Sequence, residues 1–303
     1  MEHFITLFDS LFLPQGLALH RSMQRHLNDF TLWVLCMDER AFELLTQLDL
    51  ANVKLLRLAD VETPALLAVK PDRAINEYCW TVTPFTPRFV FEADPEVTRA
   101  TYLDADLWFM KSPDSIFAEF SESGKQVLIT EHAYSPECDE SEASGIYCVQ
   151  FMCFTRDGGE SVRAWWQARC LEWCYERFED GKFGDQKYLD DWTERFPDQV
   201  HVLGQKQSML APWNIGRFDY NEGIVWHFQA LRIQQKGQRL FVDFGAYKFP
   251  ADTIKYVYEP YLEDLRHSVK QLLSVDEHLR SQAQPGWKRR LKGHFVTIGA
   301  YIQ

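Results

Sequence analysis

Tyr102-Leu103-Asp104-Ala105-Asp106-Leu107 is an apolar stretch that ends on two carboxylates. Thr101–Leu103 predicts a buried strand, and Leu107–Met110 is apolar again, so the two acids fall in the turn at a strand's end. In an open α/β sheet, ligands bind outside the carboxyl ends of the strands. The stretches upstream supply such a sheet. Phe4–Phe8, Thr31–Cys36 and Val53–Leu58 are apolar runs of strand length, and Gly16–Leu27 and Glu39–Leu48 between them have helical spacing. That alternation predicts βαβ units and a largely parallel sheet. Downstream, Val127–Thr130 and Tyr147–Phe154 are further strand candidates, and Gly158–Phe178 reads as one long helix. Pro212–Asp219 and Phe244–Pro250 read as loops. The expectation is one α/β domain over residues 1–250, followed by a C-terminal helical extension over residues 251–303.

Composition narrows the function classes. Of 303 residues, 46% are hydrophobic, which suits a large packed core and not a disordered chain. The formal net charge of −12 argues against nucleic-acid binding, which needs clustered Lys and Arg. The seven cysteines are odd in number and form no CxxC pair, which favours reduced core thiols in a cytoplasmic protein over disulfides or structural zinc. Met1–Leu13 carries Glu2 and Asp9 and lacks a basic start, so no signal peptide is expected. No apolar run reaches the roughly 18 residues of a transmembrane helix. Gln284–Gln303 sets Lys288, Arg289, Arg290 and Lys292 beside Trp287, Leu291 and Phe295. That segment reads either as a solvated basic helix or as a peripheral contact with anionic lipid at the inner face of the membrane.

Two acids around one small residue can converge on a hard divalent cation with no bulky side chain between them. Such a cation bridges the phosphates of a nucleotide diphosphate and stabilises it as a leaving group. The alternative is a solvated turn or a helix cap. Here the sequence resembles the DxD-containing glycosyltransferases of the GT-A fold, particularly bacterial lipopolysaccharide and capsule enzymes and their glycogenin-like relatives. Phe4-Ile5-Thr6-Leu7-Phe8-Asp9 is similar to the first strand, Tyr102-Leu103-Asp104-Ala105-Asp106 to the strand with its DxD, Gly184-Asp185-Gln186-Lys187-Tyr188-Leu189 to the Asp-Gln segment, and Trp226-His227-Phe228 to the late His segment. The resemblance implies a Rossmann-like mixed sheet flanked by helices. It implies a nucleotide-diphosphate sugar as donor, Mn²⁺ or Mg²⁺ as cofactor, and a glycan or lipid-linked acceptor in polysaccharide biosynthesis. It places Thr6, Phe8 and Asp9 at the nucleotide, and Asp104, Asp106 and His227 on the cation, with Asp104 also facing the donor. Asp185 and Gln186 become the catalytic pair beside the donor sugar, with retention of configuration at the sugar.

The sequence departs from that pattern at two places. Tyr147-Cys148-Val149-Gln150-Phe151 stands where an Asn and a Gly are usual, leaving Gln150 as a hydrogen-bonding candidate, and Arg232 stands in for a missing Lys after His227. Other residues have two readings. Asp185 either caps the helical stretch behind it or meets the sugar. His227 between Trp226 and Phe228 is either a ligand or a satisfied core residue. Lys70 and Arg73 are either a solvated helical face or cations that reach the diphosphate. Trp213-Asn214 either stacks on an acceptor sugar or packs. Of the rival classes, a haloacid-dehalogenase phosphohydrolase would carry its Asp-x-Asp near the N-terminus. A nucleotidyltransferase would have a basic, Gly-rich first loop, where Leu13-Pro14-Gln15-Gly16 has no basic residue. A non-catalytic carbohydrate- or nucleotide-binding protein of the same fold is the remaining alternative.

Overall fold

The computed structural model describes residues 1–236, 239–277 and 299–301. The first half alternates as expected: β1 (Glu2–Phe8), α1 (Leu13–His26), β2 (Phe30–Cys36), α2 (Glu39–Leu48) and β3 (Val53–Arg57). Four short helices follow, α3 (Leu58–Val61), α4 (Pro64–Val69), α5 (Ile75–Val82) and α6 (Thr86–Ala93), and then β4 (Arg99–Leu103) and β5 (Leu107–Phe109). Next come α7 (Asp114–Ser123), β6 (Val127–Glu131), α8 (Ser141–Ser144), β7 (Tyr147–Thr155), α9 (Glu160–Glu172), α10 (Trp192–Arg195) and β8 (Val200–Val202). The chain closes with β9 (Met209–Leu210), β10 (Val225–His227), β11 (Arg232–Lys236), β12 (Arg239–Asp243), α11 (Ala251–Thr253), α12 (Glu259–Leu273) and β13 (Gly299–Tyr301).

Seven strands form the main sheet in the order β3-β2-β1-β4-β7-β6-β8. All neighbours are parallel except β7, which runs against both β4 and β6. Side chains alternate across this sheet as the pleat requires. Phe4 and Phe8 of β1 join one core with Leu17 and Phe117, while Ile5 and Leu7 join the other with Phe89 and Trp166. Every residue of β2 is buried, as expected of a strand covered by helices on both faces.

The expected long helix ends at Glu172, short of Phe178. Trp173 turns extended (φ −155°, ψ 124°) and buries its indole, and its carbonyl accepts from the Tyr188 hydroxyl. Beyond it Gly181 and Gly184 both take positive φ, in a conformation that no helix continues.

The C-terminal part docks on the first helix. Asp264 of α12 accepts two bonds from Arg25 (2.9 and 2.5 Å) and one from the Trp108 indole on β5 (2.7 Å). The basic segment expected at Gln284–Gln303, with its membrane contact, lies outside the described residues apart from Gly299–Tyr301. Among the described residues, no helix is long and apolar enough to cross a membrane. All seven cysteines are free.

Candidate functional site

The turn between β4 and β5 is tight. Leu107 N donates to Asp104 O (3.2 Å), so Asp104 and Asp106 stand on either side of a buried Ala105. The backbone N–H of Asp104 donates to the carbonyl of Gln150 (3.0 Å), and its carboxylate accepts from the Tyr102 hydroxyl (2.9 Å). β10 then pairs antiparallel with β5, setting His227 opposite Leu107. Phe228 N donates to Asp106 O (2.9 Å), which locks the two segments together. As a result His227 Nε2 lies 3.2 Å from Asp106 Oδ1 and 3.7 Å from Asp104 Oδ2. One ligand atom from each of the three residues fits within 4.8 Å of the others.

The three side chains perturb one another strongly. Burial raises Asp104, His227 pulls it down, and Asp106 pushes it up again, leaving it at about 7. Burial works on Asp106 in the same sense, but the charge and hydrogen bond of His227 hold it below the usual carboxylate range. Burial alone would lower His227; the Asp106 carboxylate overrides that and raises it well above the imidazole range. The positive charge of the His227 ring offsets part of the charge of the two acids. Two carboxylates and one imidazole are a donor set for Mn²⁺ or Mg²⁺, with His227 favouring the former.

These residues floor a cleft of about 610 Å³. Phe8, Asp9, Asn76 and Trp80 line one part of it; Asp185, Gln186, Trp213 and Arg232 line others. Asp185 is 5% exposed, and burial, followed by Cys174 and Asp104, raises its carboxyl well above the ordinary range. It caps nothing: the helical turn that follows begins at Lys187, with Gln186 in the cap position and no side-chain cap. Gln186 donates its Nε2 to Ser144 O (2.8 Å), which leaves Oε1 as the amide atom free for a ligand. Arg232 is the one lysine or arginine among the described lining residues.

Other expected residues lie elsewhere. Thr6 is fully buried within β1 and does not line the cleft. Neither do Lys70 and Arg73. Lys70 pairs with Glu62 (2.6 Å), and Arg73 stacks over Tyr175 at 4.0 Å, so both are held by local partners. Gln150 is 1% exposed and contributes only its backbone carbonyl to the turn.

Sequence reading missed His132 and its neighbours. His132 follows β6 directly, so its strand-end position was the available signal. Cys148 lines the cleft because β7 is reversed, which brings its first residues, and not its last, to the carboxyl edge of the parallel strands.

No family model matches the chain. Two curated proteins of Bacillus subtilis (strain 168), described as the uncharacterized proteins YfnF and YfnD, are each 29% identical to it. The first match spans 87% of this chain and 91% of YfnF, the second 90% of this chain and 91% of YfnD. Among solved structures, the galactosyltransferase LgtC in complex with donor and acceptor sugar analogues superposes with a TM-score of 0.53. It covers 95% of this chain and 99% of LgtC at 11% identity. The bifunctional glycosyltransferase WbbM gives 0.53 at 12% identity, covering 89% of this chain and 51% of WbbM. The apo glycosyltransferase GlyE of Streptococcus pneumoniae TIGR4 gives 0.51 at 14% identity, covering 93% of this chain and 66% of GlyE. The fold is that of the GT-A glycosyltransferases: a mixed seven-stranded sheet flanked by helices, with a C-terminal helix.

Proposed function

We infer that this chain is a glycosyltransferase that moves a sugar from a nucleoside diphosphate sugar to a glycan or lipid-linked acceptor, with a divalent cation on Asp104, Asp106 and His227. The observation that carries this reading is the convergence of those three side chains on the floor of the cleft. They come from two distant stretches of chain, joined by the pairing of β5 with β10. When bound, the cation would neutralise charge that builds on the departing diphosphate.

The chain's own groups supply the remaining roles. Arg232 is placed to hold a phosphate oxygen by charge-assisted hydrogen bonds. Phe8 and Trp80 offer apolar faces to a nucleotide base, and Asp9, held in place by the backbone N–H of Leu11 (3.0 Å), offers an acceptor. Asp185 is disposed to the neutral acid form and can donate to a sugar hydroxyl. Gln186 Oε1 presents partial negative charge to an anomeric carbon that becomes cationic in the transition state. An amide is a poor nucleophile, so this set favours retention with the acceptor attacking on the face the phosphate leaves.

A thermal-shift screen of nucleoside diphosphates with and without Mn²⁺ tests the reading. One diphosphate should raise the melting temperature, and only with the metal present, because a ligand bound to the native state stabilises it by mass action. No metal-dependent shift with any nucleoside diphosphate would remove it.

A further inference from the structure

One wall of the cleft is made of residues other than those assigned above to the nucleotide sugar. The residues after β6, the loops before and after β10 and the loop after β12 build it. Tyr134, Trp213 and Tyr247 line this wall as an aromatic surface. Trp213 is held by its indole N–H on His132 O (2.8 Å), and Tyr247 by its hydroxyl on Gln229 Oε1 (3.1 Å). Tyr134 stacks on His132 at 4.7 Å and 13°, and lies 6.2 Å from Trp213.

Glu137 and Glu140 belong to the same wall. Both are exposed, and among the described residues neither carboxylate pairs with a cation. Burial, and then the charge of Glu140, push the Tyr247 hydroxyl up to about 12, and both residues line the cleft. A separate feature points to a ligand. His132 is 3% exposed and lines the cleft, yet its Nδ1 has no nitrogen or oxygen partner.

We propose that this wall is the acceptor subsite and that it selects a sugar carrying a protonated amine. The proposal rests on the glycosyltransferase reading above. Aromatic faces stack on the C–H face of a sugar ring and attract an ammonium through the ring quadrupole. Two carboxylates beside them, unpaired among the described residues, add direct charge attraction, and His132, against the Cys148 thiol, backs the Tyr134 ring. A phosphorylated or carboxylated sugar meets Glu137 and Glu140 at the wall and is repelled.

Binding of free sugars to the full chain in EDTA tests this without donor or metal. The probes are D-glucosamine, D-glucose and D-glucuronate, followed by saturation-transfer NMR at pH 6 and low salt. Glucosamine should bind about two- to fivefold more tightly than glucose, as expected of a charge pair with exposed carboxylates, and glucuronate more weakly than either. In the double variant Glu137→Gln/Glu140→Gln, whose melting temperature should match wild type because both positions are exposed, glucosamine should fall to the level of glucose while glucose is unchanged. Equal binding of the three probes, no binding of any, or a preference that survives in the double variant would overturn the proposal. Nucleoside diphosphate binding with Mn²⁺ on the same preparation separates the two claims. If it is intact while the amine preference is missing, the subsite assignment fails and the transferase reading stands.

Discussion

Gln186 and Asp185 are adjacent, yet their environments assign them different work. Gln186 is anchored through its amide nitrogen, so removing the side chain takes away one oriented oxygen and little packing. Gln186→Ala should therefore keep nucleotide and Mn²⁺ affinity near wild type while donor hydrolysis and transfer fall by roughly a hundred- to a thousandfold. Steady-state hydrolysis of the donor measures this, and a wild-type rate in the folded variant would exclude Gln186 from the chemistry. Asp185 bears on stability as well. Its carboxyl is raised in the folded protein, chiefly by burial, so the native state keeps a proton that the unfolded chain releases near pH ~4. Below that pH the residue costs nothing; as pH rises above it, native stability declines relative to an uncharged residue of the same shape. Asp185→Asn should then melt a few degrees above wild type at pH 8 in EDTA, with the gap closing as the pH falls toward 4. Parallel pH profiles for the two proteins would show that the carboxyl is not held neutral.

At the scale of elements, the site depends on two junctions that differ in how far the sequence reveals them. The β4 strand and its acid turn are local: an apolar run, two acids and a small residue between them announce both the strand end and its chemistry. The reversed direction of β7 and the pairing of β10 with β5 are not local. Nothing near Trp226-His227-Phe228 states its partner strand, and only the resemblance in motif order connected His227 with the DxD. The cations Lys70 and Arg73 were legible as charged residues at helical spacing, but not their partners Glu62 and Tyr175, which lie on other elements. The second junction is the clasp of α12 on α1 and β5 through Asp264. Asp264 is buried, and burial alone would raise its carboxyl, but its bonds to Arg25 and Trp108 hold it below the ordinary range. Arg25 is 41% exposed, so its ion pair contributes little. The Trp108 indole is 6% exposed and would lose its partner. Asp264→Ala should cost about 1–3 kcal/mol, mostly from that orphaned N–H, in urea unfolding monitored by tryptophan fluorescence. A loss below about 0.5 kcal/mol would mean that the clasp is held by the apolar contacts of α12 alone.

For the molecule as a whole, the charge balance bears on the proposed cation. The chain is acidic overall, and the cleft concentrates that charge, with Arg232 as the one lysine or arginine among its described lining residues. Beside Asp104 and Asp106, an anionic nucleotide diphosphate gains from positive charge beyond that of His227 and Arg232. On the proposed site, nucleotide and metal affinity are coupled, each raising the other by the same factor. Isothermal titration of the nucleoside diphosphate found by screening, with and without Mn²⁺, on wild type and Asp106→Ala, measures that coupling directly. The wild type should bind the diphosphate at least about tenfold more tightly with Mn²⁺ than without. The folded variant should show the same weak binding in both conditions. Equal affinities with and without metal in the wild type, or an undiminished metal effect in the folded Asp106→Ala protein, would contradict the account.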